Sequence, residues 1–194
     1  MSAKIAGELM TQRRFLPLLL AQCLGSLNDN LFRYGLVTMV TYSGLSLFGL
    51  ERDFLVPIAA SMITLPIFLF SAIAGRLADK YDRTCIMRVT KQIEIWIMLL
   101  AALALFLRQP LLLLPTLFLM GTQSAFFTPA KNSALPSLMA PHELVPANAL
   151  LSGFLNVSIL LGVALGTWLA VVPLGPEVIG AGLVVIAIFG WISA

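Results

Sequence analysis

Charge is scarce in this chain. Only 11% of its 194 residues are Asp, Glu, Lys or Arg, and 59% are hydrophobic; a soluble domain carries about 25% charged residues. A globule this apolar has too few polar residues to cover its surface, which excludes an ordinary soluble enzyme and a disordered tail. The net charge of +3, from 12 basic and 9 acidic residues, is spread between apolar segments. It forms no polyanion-binding patch, so no nucleic-acid partner is expected. Cysteine and histidine are nearly absent. Cys23 and Cys85 offer neither a disulfide framework nor a metal-site spacing. His142, between Pro141 and Glu143, has no evident nucleophile beside it. No phosphate-cradling Gly-rich loop ending in Lys-Ser/Thr occurs, so ATP hydrolysis does not supply energy here. The expectation is a non-enzyme with no metal and no cofactor. Leu20-Ala21-Gln22-Cys23 looks superficially like a lipoprotein signal, but Gln22 is too large for the residue before a cleavage site and apolar sequence continues beyond it.

What is present is long apolar sequence. A membrane-spanning helix needs about 20 mostly apolar residues. Six segments meet or approach that length, at about 14–45, 54–76, 85–107, 109–130, 144–172 and 177–194. The expected fold class is therefore all-α, a polytopic membrane protein with six transmembrane helices. Pro173, Gly175 and Pro176 read as a tight turn between the fifth and sixth segments. Pro57, Pro66 and Pro115 lie inside apolar segments, where neighbouring helices can re-satisfy the freed backbone groups. Lys and Arg in short loops set orientation. With the N-terminus inside, Lys4, Arg13, Arg14, Arg76, Lys80, Arg83, Arg88, Lys91 and Lys131 fall on the cytoplasmic side, against Arg52 and Arg108 outside. That nine-to-two excess places the N-terminus, and after six spans the C-terminus, in the cytoplasm.

The loop after the second segment reads Gly75-Arg76-Leu77-Ala78-Asp79-Lys80-Tyr81-Asp82-Arg83-Thr84. It resembles the signature loop of the major facilitator superfamily, matching at Gly75, Leu77, Ala78, Asp79, Lys80 and Arg83. It departs at Asp82, which replaces a glycine, and at Thr84, which replaces a basic residue. Gly75 is expected to permit close helix approach, Asp79 to end a helix and hold a partner by a charged hydrogen bond, and Lys80 and Arg83 to anchor the loop at the headgroups. The resemblance implies one half of a transporter: two inverted three-helix repeats, with a second six-helix half as partner.

Three further motifs occur in order: Leu27-Asn28-Asp29-Asn30-Leu31, Phe126-Phe127-Thr128-Pro129-Ala130-Lys131 and Val145-Pro146-Ala147-Asn148-Ala149-Leu150. The set is similar to the lysophospholipid transporter branch of that superfamily. This implies movement of lysophospholipids across a bacterial inner membrane to the cytoplasmic leaflet, where an acyltransferase or acyl-ligase domain, in some members on the same chain, restores the second acyl chain. Leu31 and Phe32 are bulkier than the motif leads one to expect, and Arg33 lies just beyond it.

On physical grounds Asp29 is the outstanding residue. It lies about 22 Å along a helix from Arg14, where an exposed carboxylate costs about 2.5–3.5 kcal/mol or more. Either Arg33 at i+4 neutralises it, or it lines a cavity with Asn28 and Asn30 and binds a headgroup cation or coupling ion. Lys131, read at the inner end of the fourth segment, is either a snorkelling lysine or a phosphate-binding cation. Lys91 and Glu94 read as a structural pair near the interface. Gln123 and Ser124, with the i, i+4, i+8 stripe Asn148, Ser152 and Asn156, are further lining candidates, expected to face the bundle interior. Gly162 and Gly166 form a G-x-x-x-G, read first as close helix packing; they also sit where proton-driven drug exporters carry a glycine-rich motif, though without its proline. Three functions compete: a lysophospholipid flippase, a proton-coupled solute or drug transporter, and a membrane anchor for a lipid-modifying enzyme. The intramembrane polar set speaks against the last.

Overall fold

A computed structural model describes residues 7, 9–12, 14–42, 52–107 and 109–194. Lys4, Arg13, Arg108, the side chain of Arg52 and the end of the first expected span lie outside the described residues. Six long helices follow one another: α1 (Leu16–Tyr42), α2 (Arg52–Lys80), α3 (Arg83–Phe106), α4 (Pro110–Leu138), α5 (Leu144–Leu169) and α6 (Gly175–Ile192). The described residues contain no strand.

Four of these helices have stretches long and apolar enough to cross a membrane: Pro57–Lys80, Arg83–Phe106, Leu144–Leu169 and Gly175–Ile192. Helices α1 and α4 are as long and carry polar side chains, from Gln22 to Arg33 and from Thr116 to Ser133.

Local signals explain the helix ends. Asp82, the departure from the signature loop, caps α3 by accepting a hydrogen bond from the Cys85 amide at 3.1 Å. A proline sits in the first turn of α4 and of α6, where a missing N–H costs nothing. Leu174, at φ 61°, adopts the left-handed conformation before α6, and a Cβ on Gly175 would collide with the Leu169 carbonyl. That tight turn makes α5 end at 169, short of the expected 172. Helix α4 runs on to Leu138, eight residues past the expected end at 130. Pro129 and Pro136 lie inside it, because a proline within a packed bundle removes a backbone hydrogen bond without ending the helix.

The five most extensive interfaces are α1–α5, α2–α4, α3–α4, α3–α6 and α1–α6. Exchanging α1, α2, α3 for α4, α5, α6 maps this set onto itself. Glycine sets the closest crossings. A Cβ on Gly162 would lie 2.6 Å from the Leu27 carbonyl oxygen, and one on Gly166 2.6 Å from that of Leu31, so α5 rests directly on the α1 backbone. Gly121 lies in the same way against the Ile63 carbonyl, where α4 meets α2.

The core is split in two. One apolar cluster holds Leu31, Phe32, Leu36, Met98, Leu117 and Leu183; the other holds Phe15, Leu18, Met87, Phe127, Leu135 and Leu151. Residues 22–29 of α1 and 90–94 of α3 fall between the two clusters, and 123–124 of α4 lie between that helix's members of each.

Candidate functional site

That intermediate layer holds a cavity of about 170 Å3, lined by Gln22, Gly25, Ser26 and Asp29 of α1, Lys91 and Glu94 of α3, and Gln123, Ser124, Phe127, Thr128 and Lys131 of α4. At about 30 Å3 per molecule it corresponds to five or six waters, the scale of a small polar headgroup. The α1 contribution follows one helical face, Gln22, Ser26 and Asp29, spaced by four and three residues. The α4 contribution repeats that spacing in Ser124, Thr128 and Lys131. Because the same two core clusters are met in opposite chain order by α1 and α4, the helices are antiparallel. Asp29 and Ser124 lie at one end of the stripes, while Lys131 lies seven residues from Ser124, about 10 Å of backbone, toward the Gln22 end.

Asp29 and Lys131 share the cavity without forming an ion pair. Among the described residues the ion pairs are Lys91–Glu94 and Arg14–Glu143. Arg33 does not neutralise Asp29: it is exposed and lies over the Tyr34 ring, 5.7 Å from its centroid.

Lys91 and Glu94 are a pair, as their spacing suggested, but not one near the interface. Both are almost completely buried, at 1% and 3% side-chain exposure, with the ammonium 2.7 Å from Glu94 Oε2. Gln123 Nε2 donates to the same oxygen at 3.2 Å and to the Thr90 carbonyl at 3.3 Å. The Lys91 ammonium lies 5.1 Å from the Phe127 ring centroid and occupies the space that a Cβ on Gly25 would need. Burying such a pair costs several kcal/mol per ion before attraction and hydrogen bonds offset it.

The structure thus brings Asp29, Gln123 and Lys131 together and sets the other candidates apart. Asn28 is fully buried outside the cavity lining, and neither its Oδ1 nor its Nδ2 has a partner. Asn30 turns toward α5: its Nδ2 donates to the Ser26 carbonyl at 2.7 Å, and its Cβ lies where Gly162 has none. Asn148, Ser152 and Asn156 lie on an exposed face of α5 rather than in the bundle interior. Periodicity groups these three but cannot say which side of the helix is covered. Lys131 sits two turns inside α4, not at its end. Sequence reading missed Gln22, buried at 3% exposure, although its i, i+4, i+7 relation to Ser26 and Asp29 was a usable signal.

At the Arg14 end of the bundle, a cleft of about 630 Å3 is lined by Arg14, Asp79, Tyr81, Asp82 and Arg83 among others. Arg83 Nη1 donates to the Ser133 carbonyl at 3.0 Å and ties the signature loop to α4. Lys80 lies over the Tyr81 ring at 5.5 Å. Gly75 does not make the expected close approach: a Cβ there would meet nothing within 4 Å. Beside the cleft, Arg14 Nη2 donates to both oxygens of Glu143, at 3.0 and 2.9 Å; Gln12 Nε2 and the Ala140 amide donate to the same carboxylate at 3.3 and 3.0 Å. These donors, the Ala140 amide foremost, hold the Glu143 carboxyl below its ordinary range.

Long apolar helices packed around a layer of ionisable side chains are the arrangement of a multi-pass membrane protein. Residues 51–193, well over half of the chain, match the transmembrane secretion effector family, and the chain belongs to this family of major facilitator superfamily transporters. Comparison with curated proteins and with solved structures gives no match.

Proposed function

We propose that the protein moves lysophospholipids across a bacterial inner membrane toward the cytoplasmic leaflet, where the products are reacylated. The observation that carries this reading is a carboxylate, Asp29, and a cation, Lys131, that line one small cavity without forming an ion pair. A lysophospholipid head offers the complement: a phosphate for Lys131 and, in the ethanolamine type, an ammonium for Asp29. The single acyl tail needs only apolar surroundings. Gln123 also borders an apolar groove of about 450 Å3 between α3 and α4, lined by Ile93, Trp96, Ile97, Leu100 and Phe126 among others. The likeness of the Asn28-Asp29, Pro129-Ala130-Lys131 and Asn148-Ala149-Leu150 motifs to the lysophospholipid branch supports the same substrate class.

In this reading the six helices are spans, the N-terminus is cytoplasmic, and the chain forms one half of a major facilitator fold built from two inverted three-helix repeats. The self-matching contact plan supports the repeats. A second six-helix half packs on α2 and α5, the least covered of the four apolar helices. That partner explains why Asn148, Ser152 and Asn156 face outward, since polar groups facing lipid are costly. Asp79, Lys80 and Arg83 gate from the loop, and Gly75 finds its neighbour in the second half.

The test is transport of lysophosphatidylethanolamine by the full-length protein in proteoliposomes. Transport lost on Asp29→Asn or Lys131→Ala supports the reading; unchanged transport in both variants removes the site. The competing reading, a proton-coupled exporter, is favoured by the family's description as secretion effectors. It requires substrate-dependent proton movement, which the same vesicles measure.

A further inference from the structure

Glu94 is an ionisable cavity residue that the phosphate–ammonium reading leaves unused. Its Oε2 is committed to Lys91 and Gln123. Its Oε1 is buried, belongs to a side chain lining the cavity, and has no hydrogen-bond partner. A buried carboxylate oxygen left without a donor is costly. Lys91 cannot readily serve both oxygens, because its ammonium is confined between the Gly25 backbone and the Phe127 ring. Asp29 contributes a second carboxylate to the same space from α1. The charged groups lining the cavity are Asp29 from α1, Lys91 and Glu94 from α3, and Lys131 from α4; none lines it from α5 or α6. Two acids and two lysines cancel, so a bare metal cation would leave the cavity net positive, whereas a dipolar head would not.

We propose that Glu94 Oε1 is the second acceptor, with Asp29, of a subsite for a primary ammonium. Such a group carries three N–H donors, and two carboxylates from different helices can hold it where one cannot accept all three well. Each N-methyl group removes one donor, so the subsite also counts methyl groups. The inference rests on the headgroup reading above and adds a specificity-determining residue to it.

The experiment uses the full-length protein in proteoliposomes, with Lys91→Met and Glu94→Gln introduced together so that neither charge is left buried alone. Lysophosphatidylethanolamine and lysophosphatidylglycerol are compared side by side, with the N-monomethyl and N,N-dimethyl ethanolamine lipids as a series. The ethanolamine-to-glycerol transport ratio should fall about tenfold, the worth of one charged hydrogen bond. The stepwise decline along the methyl series, seen in the unmodified protein, should flatten. An unchanged ratio overturns the proposal, as does equal loss of both lipids, which would return the pair to scaffolding. Should the double variant not fold, Glu94→Asp keeps the charge but withdraws Oε1 by one methylene, and the same fall in ratio is required of it. Unmodified protein that moves neither lipid would defeat the headgroup reading itself, a distinct result.

Discussion

Helices α1 and α4 occupy equivalent places in the contact plan and present polar stripes of identical spacing to one cavity. They differ in the charge at the end of the stripe: Asp29 on α1 and Lys131 on α4. Packing is repeated between the two halves of the chain; charge is not. A cavity built from two like stripes would repel any dipolar ligand at one end. This one is itself dipolar, with about 10 Å of backbone between its poles. A repeated scaffold thus acquires polarity from two side chains.

The largest expected effect comes from abolishing that polarity. Asp29→Lys places a third lysine in the polar layer with one carboxylate left, and should destabilise the protein by about 1–3 kcal/mol, short of the roughly 3–5 kcal/mol cost of a fully buried uncompensated charge because position 29 is half-buried. Adding Lys131→Asp restores the balance, and thermal unfolding in detergent should recover most of the loss. Transport should stay abolished, because the poles are reversed relative to the acyl tail. Recovery of transport in the swapped protein would show that only net charge matters.

The packing side of the comparison is sharpened at glycine. Gly166→Ala on α5 and Gly121→Ala on α4 each drive a Cβ into the backbone of the facing helix, and both should lower stability by about 1–3 kcal/mol. Gly153→Ala, on the same helix as Gly166 but with nothing within 4 Å, should raise it by about 0.5–1 kcal/mol. Equal effects at 153 and 166 would refute a contact plan set by glycine.

Much of this architecture was legible in the sequence, and the failures share a cause. Apolar length located the long helices, four of them apolar enough to span a membrane, and Gly162-x-x-x-Gly166 announced its crossing. The uncharged run ends before Lys131, which put the end of the fourth segment at 130, but a single lysine does not stop a helix, and α4 continues to Leu138. Asn148, Ser152 and Asn156 were correctly grouped on one face, but the covered side of a helix is a property of its neighbours. Lys91 and Glu94 were recognised as a pair from their spacing. Their depth was not, because a charge within a turn of the expected interface looks the same whether it points to water or to a core.

Asn28 marks a smaller asymmetry. It adjoins the α1 stripe yet leaves both its polar atoms unpaired within the core. Asn28→Leu removes a buried group without a partner and should stabilise the protein by about 1 kcal/mol, read as a rise in unfolding temperature. A loss of stability would mean that the amide is bonded in a way this arrangement does not contain.

The smallest effect separates the charged layer from the charges at the surface. Glu143 binds Gln12 and Arg14, just ahead of α1, to the α4–α5 turn. Its carboxyl titrates below its ordinary value of 4.5, chiefly through the Ala140 amide and then Gln12. A depressed folded-state pKa stabilises the folded form at all pH above the unfolded value, and that contribution is lost as pH falls through the folded value. At neutral pH, Glu143→Gln should speed hydrogen exchange at the start of α1, where the Phe15 and Leu16 amides bond back to the Gln12 carbonyl. Below the folded pKa the variant and the unmodified protein should exchange alike, since both then lack the carboxylate. The effect should also shrink with added salt, because Arg14 is half exposed, and the stability change from Asp29→Lys in the half-buried cavity should shrink less. A difference at Glu143 that persists into acid would show that the turn is held by its backbone alone.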